Sequence, residues 1–231
     1  MYTTGYSDDV MRAIPRLAEP LELGASVEAQ GSSFVHFSAV ARRVNAFIVY
    51  GFPRVEPASK QYFISVAVVG PDGDLVCVYD KLHVCGIGVC SEASVFTAGD
   101  RVVTFEAHGW TVGLMICYDI RFPELARELS WTHGADVILH PSAFPRDETF
   151  ASWMQFVVTR AIENQVYFMS ISRAGKFFGG SIAMTPFLDE SKDDLQPTRL
   201  DTGAGHLSMV ADPSVLARVR LAVPLRRDVH S

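Results

Sequence analysis

Long apolar runs are missing from this chain. Its apolar stretches, such as residues 63–69 and 137–139, are far too short to span a bilayer. Cysteine is scarce: Cys77, Cys85, Cys90 and Cys117 are the only four in 231 residues. In a chain of this length, that excludes a disulfide-stapled mini-domain and points to a reducing compartment. No secretion signal is read at Met1-Tyr-Thr-Thr-Gly-Tyr6, which has no basic start followed by an apolar stretch. The expected location is therefore cytoplasmic. No block of like charge stands out, and the net charge of −6 argues against a nucleic-acid surface. No Gly-x-Gly-x-x-Gly follows a strand, and Gly175-Lys-Phe-Phe-Gly-Gly-Ser181 is not a Walker loop but a turn before a strand. His83, Cys85 and Cys90 are close in sequence but match no common zinc spacing, so no metal is expected. Repeats, low-complexity tracts and linkers are absent, and a single domain over residues 1–231 is the simplest division.

The chain does contain short strand-like runs that alternate with helix-like ones. Residues 27–44 carry a weak helical stripe. A strand at 47–51 is expected to stop at Gly51 and Pro53, and strands at 62–69 and 75–79 flank the tight turn Pro71-Asp-Gly-Asp74. Residues 101–106 and 111–116 flank a turn at His108-Gly109. Further strands are expected at 137–140, 166–171, 181–184 and 206–211, and the clearest helix at 148–165. Strand pairs mixed with helices place the chain in the α/β class, with helices covering sheets.

The most informative stretch is Gly113-Leu-Met-Ile-Cys-Tyr-Asp-Ile-Arg-Phe-Pro-Glu124. The apolar run 112–116 reads as a buried strand that ends abruptly at Cys117, and Pro123 opens a helix over 124–129. A cysteine at such a strand-to-helix junction can present its sulfur to a cleft, where a helix N-terminus favours the nucleophilic thiolate. The alternative is a small apolar residue closing a strand, since most free cysteines are buried and inert.

Four ordered motifs carry a resemblance to the nitrilase, or carbon–nitrogen hydrolase, superfamily: Tyr79-Asp-Lys-Leu-His83, Ile116-Cys-Tyr-Asp-Ile-Arg-Phe-Pro-Glu124, Gly134-Ala-Asp-Val-Ile-Leu-His-Pro-Ser-Ala-Phe-Pro145 and Arg160-Ala-Ile-Glu-Asn164. The resemblance covers the chain from Tyr2 to about Arg226. It implies an αββα sandwich that assembles into homodimers or larger homo-oligomers, and a Glu-Lys-Cys amidase needing no cofactor. Cys117 matches the nucleophile and Lys81 the lysine, whose reading without the motif is a solvated strand-end residue. Glu92, before Phe96-Thr-Ala-Gly-Asp100, resembles the second glutamate of the family, with a surface-loop carboxylate as the alternative. The backbone N–H of Tyr118 would help Lys81 bind the oxyanion. Asp119, Arg121, Glu124, Arg160, Glu163 and Asn164 are read as scaffold. Phe144, Trp153 and His140 each have a pocket reading and a core reading, and for His140 the favoured one is a satisfied strand-end histidine. The residues after Cys117 resemble the omega-amidase and Nit-type branch, which implies a small linear amide as substrate.

The first glutamate of the family lies about five residues before a Gly-Tyr. Gly5-Tyr6 matches that pair, which puts the glutamate immediately before Met1. Glu19 and Glu22 do not replace it by motif. The expectation is an N-terminally truncated domain lacking its first strand–helix–strand. It is either part of a longer natural chain or a non-catalytic relative that binds a partner. The chain as written is expected to hydrolyse amides poorly, because a general base contributes roughly 10²–10⁴ in rate. The check is ammonia release from small amides by this chain and by one extended upstream through the Pro-Glu. Equal turnover by the two would show that the base is misplaced.

Overall fold

The computed structural model describes residues 3–86 and 92–229. It divides into two compact units, Met1–Phe105 and Glu106–Ser231. Each holds most of one β-sheet and its own helices, giving the mixed α/β class expected from the sequence.

In the first unit, helix α1 (Asp8–Leu17) begins at Ser7, whose hydroxyl accepts from the Val10 N–H at 3.4 Å, with Asp8 and Asp9 in the first turn. Strand β1 (Glu19–Pro20) follows. The helix anticipated over 27–44 is interrupted: a single 3₁₀ turn (Val27–Ala29) precedes α2 (Ser32–Val44). The break is caused by Glu19, whose Oε2 accepts from the Ser33 N–H at 2.8 Å and whose Oε1 accepts from the Ser33 hydroxyl at 2.7 Å. Gly31 leaves room for that carboxylate, since a Cβ there would sit 2.3 Å from Glu19 Oε2. Glu19 is thus a remote cap for α2.

Strands β2 (Ile48–Val55), β3 (Tyr62–Val69) and β4 (Leu75–Asp80) complete a sheet of order β1-β2-β3-β4. β2 runs through Gly51 and Pro53, where the sequence suggested a stop. The Gly51 carbonyl accepts from Thr3 N, so residues 51, 53 and 55 turn their backbone polar groups away from β3. Pro53 therefore removes no bond from the β2–β3 ladder, which continues from Ile48↔Val69 to Val55↔Tyr62. Phe34 and Ala41 of α2 pack with Tyr50, Phe52, Ala67 and Val69 to form the core of this unit.

The second sheet has the order β10-β9-β8-β7-β6-β5. Its strands are β5 (Thr104–Ala107), on which the unit boundary falls, β6 (Trp110–Leu114), β7 (Val137–Ser142), β8 (Tyr167–Ser172), β9 (Ile182–Met184) and β10 (Thr198–Arg199). β6, β7 and β8 are parallel, which requires crossovers. Helix α3 (Pro123–Arg127), continued by a π turn in which the His133 N–H donates to the Glu128 carbonyl at 3.1 Å, makes the first crossover. Helix α4 (Ala151–Asn164) makes the second. At Gly113 a Cβ would lie 3.0 Å from Leu129, so glycine lets the first crossover pack directly on β6. The strand expected at 206–211 does not form: that stretch is irregular, and Val210 is 87% exposed. Helix α5 (Pro213–Ala222) follows, capped by the Asp212 carboxylate accepting from Ser214 N at 2.7 Å. No helix among the described residues is long and apolar enough to cross a membrane.

Replacing the remote cap, Glu19→Ala, is expected to cost about 1 kcal/mol, as loss of a helix N-cap typically does. Glu19→Gln, which keeps one acceptor, is expected to cost less. Urea denaturation followed by circular dichroism measures both.

Candidate active site

In the first unit the local chain path puts Lys81 inside the protein. It directly follows β4. Its N–H donates to the Ile64 carbonyl at 2.9 Å, and its own carbonyl accepts from Gly99 N at 2.8 Å. With the backbone pinned on both sides, strand alternation sends neighbouring side chains to opposite faces. Asp80 turns one way, taking a bidentate pair from Arg54 at 2.9 and 2.6 Å and a bond from the Ser65 hydroxyl. Lys81 turns the other way and is 1% exposed. The solvated strand-end alternative is thus not what the fold adopts.

Lys81 Nζ donates to Glu92 Oε2 at 2.6 Å, and Glu92 is also 1% exposed. The carboxylate has further donors. Tyr6 donates its hydroxyl to Oε1 at 2.6 Å, and the Cys85 backbone N–H donates to Oε2. The Glu92 N–H in turn donates to the Cys85 carbonyl at 3.1 Å. Glu92 is therefore a fixed anion at the start of a 3₁₀ turn (Glu92–Ser94), not a mobile loop carboxylate. Such a buried pair seldom adds net stability, because desolvating two charges offsets their attraction. What it does is hold an ammonium at a defined point in a dry environment.

In the second unit the chain leaves β6 through Met115, whose N–H donates to the Leu139 carbonyl at 3.1 Å. Cys117 follows with φ = +47°, in the left-handed region. For a non-glycine residue this costs roughly 1–2 kcal/mol, so the surroundings must impose it. Asp119, fully buried, closes a reciprocal pair: its carboxylate accepts from the Ile116 N–H at 2.9 Å, and its N–H donates to the Ile116 carbonyl at 3.0 Å. His140 Nε2 meets the Cys117 carbonyl at 2.9 Å. From α4, Arg160 Nε donates to the Ile120 carbonyl at 3.0 Å, and the same guanidinium pairs with Glu163 at 2.9 Å. Asn164 donates to the Arg160 carbonyl at 3.0 Å. The Arg121 guanidinium lies over the rings of Tyr118, Phe144 and Phe156. Glu124 is exposed in the first turn of α3, where its charge suits the helix dipole.

The Cys117 thiol is half-buried at the carboxyl end of β6, with a short 3₁₀ turn (Cys117–Arg121) starting at its own residue. Parallel sheets usually present their ligands at this end. Phe144 and Trp153 pack with rings 4.2 Å apart, and Trp153 Nε1 donates to the Gly180 carbonyl at 3.1 Å. Both are core residues, although Trp153 also borders a cleft of about 190 Å³ with Phe150, Met154 and Ile182. His140 is buried and hydrogen-bonded, but it lies within β7, which runs on to Ser142, and not at a strand end. Two residues at these sites carry no role in the sequence reading: Tyr6, which enters there only through the Gly5-Tyr6 match and reaches Glu92 across 86 positions, and Ser170, which meets His140 across 30. Among the described residues no cluster of His, Cys, Asp and Glu could hold a metal, and Cys90 lies outside them.

The chain belongs to the carbon-nitrogen hydrolase family, whose sequence profile matches residues 1–215. It is 28% identical over its whole length to the omega-amidase NIT3 of Saccharomyces cerevisiae, covering 80% of that protein. It is 36% identical over 149 residues to human omega-amidase NIT2, a match that takes in 62% of this chain and 53% of the human protein, so the chain spans about half of that relative. The crystal structure of Saccharomyces cerevisiae Nit3, a member of branch 10 of the nitrilase superfamily, superposes with a TM-score of 0.74 at 25% identity, over 95% of this chain and 77% of that one. A mutant of the amidase from Nesterenkonia sp. AN1 superposes with a TM-score of 0.71 at 24% identity, over 97% of this chain and 81% of that one. It carries the product of Michael addition of acrylamide at its active-site cysteine.

Burial pushes the Cys77 thiol up to about 12, against a smaller opposing pull from Arg101. A thiol with a raised pKa stays protonated, and hence unreactive, at every pH well below that value. Iodoacetamide at about pH 7–9 is therefore expected to spare Cys77, and the elbow position of Cys117 is expected to make it the first thiol labelled, ahead of Cys85 and Cys90, as read by peptide mapping. Protection of Cys117 in the folded protein, with labelling elsewhere, would contradict this. Lys81→Met, which leaves the Glu92 charge buried without its counter-ion, is expected to lower stability by about 3–5 kcal/mol. The double change Lys81→Met with Glu92→Leu should recover much of that loss in the same denaturation experiment.

Proposed function

We propose that this chain carries the catalytic lysine and cysteine of an amidase that cleaves the C–N bond of a small linear amide. The observation that carries the reading is the left-handed Cys117, held at the end of β6 by Asp119 and His140. Strain of this kind persists only where the surroundings over-determine it, and it gathers at reactive groups. The thiol adduct in the Nesterenkonia amidase and the omega-amidase relatives support the same chemistry. An omega-amide of a small carboxylic acid is the substrate class that these relatives suggest.

In this reading the Cys117 thiolate attacks the amide carbonyl, forming a C–S bond and moving an electron pair to oxygen. The Lys81 ammonium and the Tyr118 N–H receive the oxyanion. The tetrahedral intermediate collapses, the C–N bond breaks, and ammonia leaves with the proton that a general base took from the thiol. Water then attacks the thioester, the C–S bond breaks, and the acid is released as Cys117 is regenerated. Glu92 positions Lys81. It is poorly placed to be the base, because both of its oxygens already accept from Tyr6, Lys81 and Cys85. No cofactor takes part. A homo-oligomer in a reducing cytoplasm is the setting that the family resemblance implies.

The reading requires Lys81 and Cys117 to meet in one cleft. An experimental structure is expected to put the Lys81 nitrogen within hydrogen-bonding or single-water distance of the sulfur. Finding them on opposite faces would remove the mechanism. Mass spectrometry after incubation with a small amide is expected to reveal an acyl adduct on Cys117 that Cys117→Ala abolishes. An adduct that survives in Cys117→Ala would place the nucleophile elsewhere.

A further inference from the structure

We propose that His140 is a positioning residue for the oxyanion-binding peptide of Cys117, an inference that rests on the reading of Cys117 as nucleophile. His140 is completely buried on β7, packed against the rings of Trp153 (5.3 Å) and Phe168 (5.6 Å). Its Nε2 lies 2.9 Å from the Cys117 carbonyl oxygen and its Nδ1 lies 3.0 Å from the Ser170 hydroxyl. A carbonyl oxygen can only accept, so the proton sits on Nε2 and that nitrogen donates. In the neutral ring Nδ1 then accepts from the Ser170 hydroxyl, which is itself fully buried on β8. The ring is thus held at both nitrogens and packed against two aromatic rings, by elements far apart in sequence.

The consequence comes from peptide geometry. The Cys117 carbonyl and the Tyr118 N–H belong to one planar trans unit, so they point in opposite directions. Fixing the carbonyl on His140 fixes the Tyr118 N–H toward the other side of the elbow. The His140 bond holds that peptide in one orientation. Hydrogen bonding at the carbonyl also polarises the unit and makes its N–H a better donor. His140 touches neither thiol nor substrate in this scheme. It acts through the peptide that would receive the developing negative charge.

Two reagents separate this role from general support of the fold. p-Nitrophenyl acetate acylates a thiolate through a tetrahedral oxyanion, forming a C–S bond and expelling p-nitrophenolate. Iodoacetamide alkylates the same sulfur by displacement of iodide, with no oxyanion. Removing one oxyanion donor outright costs about 10²–10³ in rate. A donor left in place but misdirected is expected at the lower end. In His140→Phe, acylation of Cys117 is expected to fall about ten- to a hundredfold, while alkylation changes less than about threefold. His140→Gln, which keeps an N–H donor, is expected to restore part of the acylation rate, and Ser170→Ala to fall between. Equal losses in both reactions would mean support of the thiol or the fold only, and would overturn the proposal. Should His140→Phe not fold, the ring ¹⁵N spectrum of the unmodified protein decides: a proton on Nε2 is required, and the Nδ1–H tautomer would overturn it. If p-nitrophenyl acetate leaves Cys117 unmodified in the unaltered chain, the nucleophile assignment fails instead, and the two failures are told apart.

Discussion

The left-handed backbone at Cys117 is the constraint around which the second unit is arranged. An ordinary residue in that conformation is disfavoured by roughly 1–2 kcal/mol, and three separate elements offset the cost. Asp119 closes the turn on Ile116 from within. His140 holds the Cys117 carbonyl from β7. Arg160 holds the Ile120 carbonyl from α4. None of the three is an apolar contact, yet all three side chains are buried at the edge of a well-packed core. In such surroundings a hydrogen bond is worth more, and an unmade one costs more. The elbow therefore has few ways to relax.

The first unit solves a different problem, which is to keep a charged lysine dry. Lys81 is buried because its backbone is bonded on both sides, to Ile64 and to Gly99, which leaves its side chain only one direction. The fold then supplies Glu92, itself tied to Tyr6 and to the Cys85 backbone. A simple apolar pair at these positions would be as stable or more so. The arrangement makes physical sense as a means of presenting a fixed positive charge, and it is costly as a means of stabilising a sheet. The neighbouring Arg54–Asp80 pair has the opposite character. It is spread over Ser65 and the Phe63 ring and ties β2 to β4 across the sheet.

Much of this was legible in the sequence, for local reasons. The strand, the abrupt polar break at Cys117 and the proline that opens α3 are all short-range signals. The hairpin at 71–74 announced itself through its turn residues. Where the sequence misled, a distant group had intervened. Residues 27–44 carry one helical stripe, but Glu19 caps the helix at Ser33 and breaks it earlier than the stripe suggests. Gly51 and Pro53 look like a stop, but the orientation of the peptide groups in β2 makes Pro53 harmless. The apolar residues at 206–211 alternate as a strand would, but they find no partner strand and remain irregular. Helix α5 had a readable start, Asp212 before Pro213, in a stretch where the alternation was the louder signal. Lys81 is the sharpest case. General propensity makes a strand-end lysine exposed, and only the motif pointed to a special position.

His140 marks the boundary of what a linear reading can deliver. Its residue type allowed a pocket role or a satisfied strand-end role, and both descriptions turn out to be incomplete. Its two partners lie 23 and 30 positions away, on the elbow and on β8. Ser170 is brought to it by the parallel register of β7 with β8, in which the two residues pair directly, and the Cys117 elbow by the parallel pairing of β6 with β7. That register follows from the apolar pattern of whole strands, not from any residue in the motif. Once it is fixed, the serine lies beside the imidazole and can donate to Nδ1, while the carbonyl of the Cys117 peptide, which can only accept, sets the tautomer with its donor at Nε2. The orientation of that peptide is thus determined by sheet register as much as by the cysteine motif, and a change that slipped β7 against β8 would disturb the elbow without touching any residue next to Cys117.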